Sequence, residues 1–238
     1  HTSSRRQRQM CIRDSISPVE VATFREDVSY SDGRRPDAIQ FSHARQDAFR
    51  RDFTINGLFF DPLNDKVVDF VEGQRDLTNK VLRAIGDAEK RFDEDKLRML
   101  RAIRFAADFQ FEIEPRTMAA IRCHATKIKQ VSVERISGEL AKMLVHPRRQ
   151  TALRLLRDSQ LYSEVFIELP ELGEPDWHRL EALIQNAKVD HFGIAIALIA
   201  WAHHGQEAGP IIKDLTKRLK LSYDEQNRAD HAIKYGPV

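Results

Sequence analysis

Arg91–Phe109, RFDEDKLRMLRAIRFAADF, is the stretch around which the chain is organised. It opens on acids, Asp93, Glu94 and Asp95, and then places Arg98, Arg101 and Arg104 three residues apart. At about 100° per residue with Asp95 at zero, Arg98 falls at about 300°, Arg101 at about 240° and Glu94 at about 260°. Leu97, Leu100, Ile103 and Ala107 cluster between about 80° and 200°, with Arg104 on the margin at about 180°. The spacing predicts one helix over 94–108. One face buries, and the other carries two carboxylates and two guanidiniums within mutual reach.

Two readings of that polar face stay open on these residues alone. Acids in a first turn and bases further along suit the helix dipole, and pairs at i,i+3 and i,i+4 are ordinary surface salt bridges. Alternatively the face reads a base. A carboxylate accepts from an exocyclic amine, while an arginine donates to a ring nitrogen or carbonyl. Cytosine and adenine both offer an amine beside an acceptor. Uracil and guanine offer a carbonyl there, which a carboxylate repels.

Upstream, Gln46–Pro62, QDAFRRDFTINGLFFDP, sets Arg50, Arg51 and Asp52 just before Phe53-Thr54-Ile55-Asn56. Arg51 is suited to a phosphate or ribose oxygen, and Asp52 to orienting that arginine or accepting from a ribose hydroxyl. An ordinary capped helix, with Asp52 as N-cap and both arginines solvated, fits the same residues. Val19–Arg25 alternates as a strand, Ser31-Asp32-Gly33 is a turn signal, and Ala38–Phe41 is a second short strand candidate. Leu58–Phe60 and Val67–Phe70 read as strands around a turn over Pro62–Asp65. Gly73–Leu77 begins a short helix or turn, and Val81–Ile85 leads into Gly86.

After Gly86 helical periods dominate and no strand is expected. The candidate helices are 94–108, 115–124, 132–145, 148–159, 177–187, 191–204, 208–220 and 222–235, punctuated by Pro147, Pro170, Pro175 and Pro210. Arg148, Arg149, Arg154 and Arg157 make one basic helix, and Lys217 and Arg218 stand in another. Both are candidate RNA-phosphate faces.

With 238 residues, 42% apolar and 31% charged, the chain suits one large domain or two small ones. The apolar run Phe192–Ala202 is too short to span a bilayer, and no apolar h-region follows the basic start, so no membrane role is expected. Two cysteines, Cys11 and Cys123, exclude a disulfide framework and a CxxC zinc pair, which makes a reducing cytoplasm the default. Adjacent His203 and His204 point to different helix faces and make a poor ligand pair. Neither a GxxxxGK[ST] loop nor a GxSxG elbow occurs. The formal net charge is +2. Residues 1–15 carry Arg5, Arg6, Arg8 and Arg13 against Asp14, so the remainder is about −1 and nucleic-acid binding must come from local patches. Residues 1–15 show no period and resemble a translated sequencing-adapter read-through. They are expected to be a non-native leader, the other reading being a basic RNA-binding arm.

RRDFTIN (Arg50–Asn56) followed by EDKLRMLRAIRF (Glu94–Phe105) resembles the class II CCA-adding tRNA nucleotidyltransferase and bacterial poly(A) polymerase family. VEVATFR at Val19–Arg25, GQRDL at Gly73–Leu77 and FEIEPRTMAAI at Phe111–Ile121 add to the likeness, which is close from Val19 to about Leu144 and loose beyond. The resemblance implies an α+β fold. Residues 16–85 would be the later part of a polymerase-β-like nucleotidyltransferase head with few strands and short helices. Residues 86–150 would be an all-α neck holding the base-reading element, and residues 151–238 a helical body that contacts tRNA.

Arg51 and Asp52 match the motif that binds the incoming nucleotide's ribose and phosphates, and Asn56 a position in the same motif. Glu94, Asp95 and Arg98 match the element that reads the base, with Asp95 and Arg98 as an amino-acid template. Arg101 and Arg104 match arginines that hold the triphosphate. The implied activity is CCA addition to tRNA 3′ ends from CTP and ATP with Mg²⁺ as cofactor, and no DNA partner. Addition of AMP alone to RNA 3′ ends is the near alternative. A non-catalytic helical RNA-binding protein is the alternative of another class.

The family's Asp-x-Asp pair ligates magnesium and activates the primer 3′ hydroxyl. No such pair stands before Val19, so no catalytic residue is assigned, and Glu20 is the one candidate for a metal carboxylate. The early part of the head is accordingly expected to be missing. Residues 16–238 are expected to add no CMP or AMP to a tRNA.

Overall fold

The computed structural model describes residues 10–12, 19–21, 23–27, 39–41 and 43–235. Its first part is a set of short hairpins. β1 (Met10–Ile12) pairs antiparallel with β2 (Val19–Val21), and β3 (Arg25–Asp27) with β4 (Ile39–Phe41). Two expectations change here. Val19–Arg25 is not one strand but two, and Met10–Ile12, inside the stretch that shows no period and was expected to be a leader, pairs with the chain that follows. The turn expected at Ser31–Gly33 lies outside the described residues.

α1 (Ala44–Phe49) leads through Arg50–Asp52 into a 3-10 turn at Thr54–Asn56. β5 (Leu58–Asp61) and β6 (Lys66–Asp69) form the expected antiparallel hairpin. The Asp61 carboxylate accepts from the Leu63 and Asn64 amides and so closes the turn. Asp69 then accepts from the Val71, Gly73 and Gln74 amides and starts α2 (Gly73–Asn79). A Cβ on Gly73 would meet the Thr54 carbonyl oxygen at 2.3 Å, so only glycine lets this helix pack on the 3-10 turn.

β7 (Val81–Leu82) pairs parallel with β8 (Glu112–Ile113), a strand beyond Gly86 where none was expected. Two-residue strands are too short to show an alternation. Their pairing is fixed by what lies between them, α3 (Ala88–Glu94) and α4 (Leu97–Phe109). α4 was expected to bury one face. It also buries Met99, Ala102 and Ala106, because α6, α7, β7 and Phe53 surround it.

α5 (Pro115–His124) opens with proline in its first turn and with the Glu114 carboxylate accepting from the Thr117 amide. A 3-10 segment and α6 (Val133–Val145) follow. Next come α7 (Arg149–Asp158), α8 (Leu161–Val165) and α9 (Glu174–Asn186). The chain closes with α10 (Phe192–His204), α11 (Gly209–Arg218) and α12 (Tyr223–Tyr235). α10 is apolar on nearly every side because α9, α11 and α12 all pack on it. Gly193 permits this, since a Cβ there would stand 2.0 Å from the Glu225 carbonyl oxygen. One continuous apolar cluster runs from Phe53 and Leu82 through α4 to Ala229 of α12.

Candidate nucleotide-binding site

The two informative sequence stretches meet. Asp52, 8% exposed, accepts from its neighbour's Phe53 amide, from Asn56 Nδ2 at 2.8 Å and from Arg101 Nε at 2.8 Å. Residues 52 and 101 are thereby tied across the joint between the hairpins and α4. Arg98 also crosses it. Its Nη1 donates to Glu94 Oε2 at 2.6 Å and to the Arg91 carbonyl at 3.0 Å, and its Nη2 to the Arg50 carbonyl at 3.4 Å. Arg91 donates to the carbonyls of Phe49 and Ile85 and to Glu94. The Phe49 carbonyl at the end of α1 and the Arg50 carbonyl just past it are thus satisfied by guanidiniums from α3 and α4.

Arg51 lies beside this joint. Its Nε and Nη2 donate to buried Asp47 at 3.1 and 3.0 Å, its Nη1 to the Asn56 carbonyl at 3.0 Å, and its guanidinium sits 5.1 Å from the Phe59 ring. Arg50 shares the same Asp47. Neither arginine is simply solvated, and Asp52 does not cap a helix as the plainer reading of Gln46–Pro62 required.

The helix expected over 94–108 is broken at Asp95. That residue ends α3 in an extended conformation (φ −149°, ψ 104°), and α4 begins two residues later. Asp95 uses both carboxylate oxygens: Oδ1 accepts from the Leu97 amide at 3.1 Å and Oδ2 from Arg135 Nη2 at 2.7 Å. The break corrects the wheel construction, because Glu94 and Asp95 do not share a helix with Arg98. Glu94 nevertheless meets Arg98 directly, as the spacing implied. Asp95 and Arg98 share no side-chain bond but sit one backbone bond apart, the Arg98 amide donating to the Asp95 carbonyl at 3.1 Å.

Arg104 stands apart from this group. Its Nε donates to Glu139 Oε2 at 2.7 Å, it approaches Asp108, and its guanidinium covers the Phe105 ring at 4.1 Å. Burial pushes the Glu139 carboxyl up, but the bonds from Arg104 and Lys142 outweigh it and hold that group below the usual range. Glu20 lies in β2 opposite Cys11, and its side chain is outside the described residues. Among the described residues no three His, Cys, Asp or Glu side chains gather as a metal site.

The side chains of four of the six expected RNA contacts have partners within the body. Arg149 donates to the carbonyls of Ile184 and Ala187, both at 2.7 Å, and so closes the end of α9; burial lowers its pKa. Arg154 pairs with Glu181, Arg157 with Glu174 and the Trp177 ring, and Arg218 with Glu168 and the Val165 carbonyl. Arg148 and Lys217 are exposed and form no side-chain ion pair among the described residues.

Three participants escaped sequence reasoning: Asp47, Arg91 and Arg135. Asp47 had a local signal, standing three and four residues before two arginines. Arg91 had a weaker one in its three-residue spacing to Glu94. Arg135 had none, since its partner lies 40 residues away. A groove of about 1070 Å³, lined in part by Phe49, Arg83, Gly86, Arg116 and Cys123, opens nearby, but none of the predicted nucleotide-binding residues lines it.

Among the described residues, six guanidiniums (Arg50, Arg51, Arg91, Arg98, Arg101, Arg135) face four carboxylates (Asp47, Asp52, Glu94, Asp95) at the joint. Fold and site together define a charged joint between a β-hairpin region and a helical array.

Residues 1–83 match the poly A polymerase head domain, and residues 110–173 the probable RNA and SrmB-binding site of polymerase A. The chain is 44% identical over 147 residues to the CCA-adding enzyme of Lactobacillus helveticus, covering 61% of this chain and 37% of that protein. It is 37% identical over 202 residues to the CCA-adding enzyme of Bacillus subtilis, covering 84% and 49%. The crystal structure of the Bacillus stearothermophilus CCA-adding enzyme in complex with CTP superposes with a TM-score of 0.73 at 29% identity, over 92% of this chain and 51% of that one. The chain belongs to the class II CCA-adding tRNA nucleotidyltransferase and bacterial poly(A) polymerase family. It spans between about a third and a half of the length of these curated relatives.

Proposed function

We propose that this chain selects the nucleotide and grips the RNA in an enzyme that adds CCA to tRNA 3′ ends from CTP and ATP. The observation that supports this best is the joint itself. Asp52 of the RRDFTIN stretch is bonded to Arg101 of α4, and Arg98 reaches the Arg50 carbonyl. In this reading Asp95 and Arg98 form the template. A carboxylate accepts along about four lone-pair directions, and Asp95 uses one on each oxygen. Arg98 keeps its Nε–H and part of Nη2. A base offering an amine beside an acceptor satisfies both, whereas a carbonyl facing Asp95 meets repulsion.

Arg51 and Arg101 then hold ribose and phosphates. Each is already fixed by a carboxylate, so its donors are aimed before the nucleotide arrives. In the whole protein the RNA 3′ oxygen would bond to the α-phosphorus as the bond to pyrophosphate breaks. Divalent metal chemistry belongs to this family. The described residues offer no matching ligand set. The division into head, neck and body at about residues 85 and 150 and a cytoplasmic setting belong to the same proposal. No described helix is long and apolar enough to cross a membrane.

The test is binding, which needs no turnover. Equilibrium dialysis with labelled CTP, ATP, UTP and GTP should show the first two bound roughly tenfold tighter than the others. Equal binding of UTP and CTP would overturn the template. A second reading, addition of AMP alone, follows from the description of the head-domain match. Incorporation of C by a version carrying a complete head excludes it.

A further inference from the structure

α4 carries a second feature beyond the joint. Arg101, Phe105 and Phe109 lie at i, i+4 and i+8, one row along the helix. Arg101 is 5.2 Å from the Phe105 ring centroid while its Nε bonds Asp52. Arg104 covers the same ring at 4.1 Å. Phe105 is in turn parallel to Phe109, at 5.9 Å between centroids and 4° between planes, and Phe53 meets Phe105 edge-on. The row ends in solvent, with Phe109 52% exposed although it continues a stack whose inner members are covered. Phe111 leans against it at 5.8 Å. Exposed Lys80 borders the end of the row, its carbonyl accepting from the Glu112 amide.

We propose that Phe109 is a stacking platform for an unpaired base at the 3′ end of the acceptor RNA. This rests on the proposed function above, which it deepens by naming where the acceptor strand lies. An exposed ring that extends a cation–aromatic ladder is the arrangement single-stranded nucleic acid uses without sequence preference, since every base has a π-face. An apolar protein partner would not explain two guanidiniums layered on the next ring. The eight helical steps from Arg101 to Phe109 span about 12 Å, a length that two unpaired nucleotides cover. The platform thus starts where the nucleotide joint ends. The segment that matches a probable RNA-binding site begins at residue 110, the next residue along.

The test uses the full chain and a tRNA lacking its 3′ CCA, with 2-aminopurine as its last base. The wild type should quench the fluorophore on binding. Phe109→Ser should abolish the quench and weaken binding roughly 5- to 150-fold, while Phe109→Tyr keeps both. CTP affinity, measured by dialysis, should be unchanged in both variants. A Phe109→Ser protein that binds CTP normally and still quenches and binds like wild type overturns the platform and leaves the nucleotide site standing. A wild type that binds CTP but not the RNA also overturns it. Failure of the wild type to bind either ligand brings down the underlying reading as well.

Discussion

Asp95→Asn is the most informative single change, because it keeps the shape of the side chain and alters only charge and bonding. Both carboxylate oxygens accept, one from the Leu97 amide at 3.1 Å and the other from Arg135 at 2.7 Å. An amide has one accepting end and one donating end, so one of these contacts must become donor against donor. If the carbonyl end stays on Arg135, α4 loses the side chain that caps its first turn, which costs about 0.5–2 kcal/mol. If the amide flips, Arg135 loses its partner at about 1–3 kcal/mol, toward the low end because its side chain is 22% exposed. Either way the expected loss is about 1–2 kcal/mol, a fall in Tm of roughly 2–8 °C for a chain of this size. In an Arg135→Met background the asparagine carbonyl is free to cap Leu97, so the same change should cost about 1 kcal/mol less. Thermal denaturation of the four proteins measures this cycle. Dialysis with CTP and UTP adds the functional arm, in which Asp95→Asn should shrink the preference for CTP by roughly tenfold. An Asp95→Asn protein that melts with the wild type, in a cycle that closes to zero, would refute the account of the helix break and of the template's support.

Arg101→Met should weaken CTP, ATP and UTP by the same factor, since its Asp52-fixed guanidinium faces no base-specific group; a change in nucleotide preference would count against that role. Leu100→Ala, at a fully buried position on α4, should cost about 2–5 kcal/mol by urea denaturation, and a loss below 1 kcal/mol would mean the core closes without it. Arg148→Ala and Lys217→Ala should lower tRNA affinity while leaving Tm alone, whereas Arg149→Ala should lower Tm by removing two carbonyl bonds from α9. His203 gives the pH dependence. Burial holds its imidazole down at about 4, against 6.5 in the unfolded chain, and its Nε2 lies 2.9 Å from the Tyr162 hydroxyl. Below pH 6.5 the unfolded chain takes a proton that the folded one refuses, so stability is full above 6.5 and falls between 6.5 and 4. After allowance for partial exposure the loss is about 1–2 kcal/mol. His203→Asn should flatten that part of the curve, and an unchanged slope would place the titrating group elsewhere.

Local spacing was enough to determine most of the elements. The helical period over 115–124 announced α5, the polar turn at Pro62–Asp65 announced the β5–β6 hairpin, and the leucines of α4 announced its inner face. The residue types at 50–56 and 94–104 left a nucleotide-reading face and ordinary salt bridges both open, and only the family resemblance chose between them, while the Glu94–Arg98 contact was legible as an i,i+4 pair. Tertiary structure decided the rest. The helix stops at Asp95 because its carboxylate is held by Leu97 within the turn and by Arg135 from another helix. Arg154 and Arg218 read as unpaired basic positions in the sequence, and the fold sets Glu181 and Glu168 against them from 27 and 50 residues away. β7 and β8, two residues each, acquire their pairing only when α3 and α4 fold between them. Periods of 3.6 and 2 residues record which side of an element is apolar. They carry no record of which distant charge will stand opposite a guanidinium, because that depends on how elements far apart in the chain are brought together.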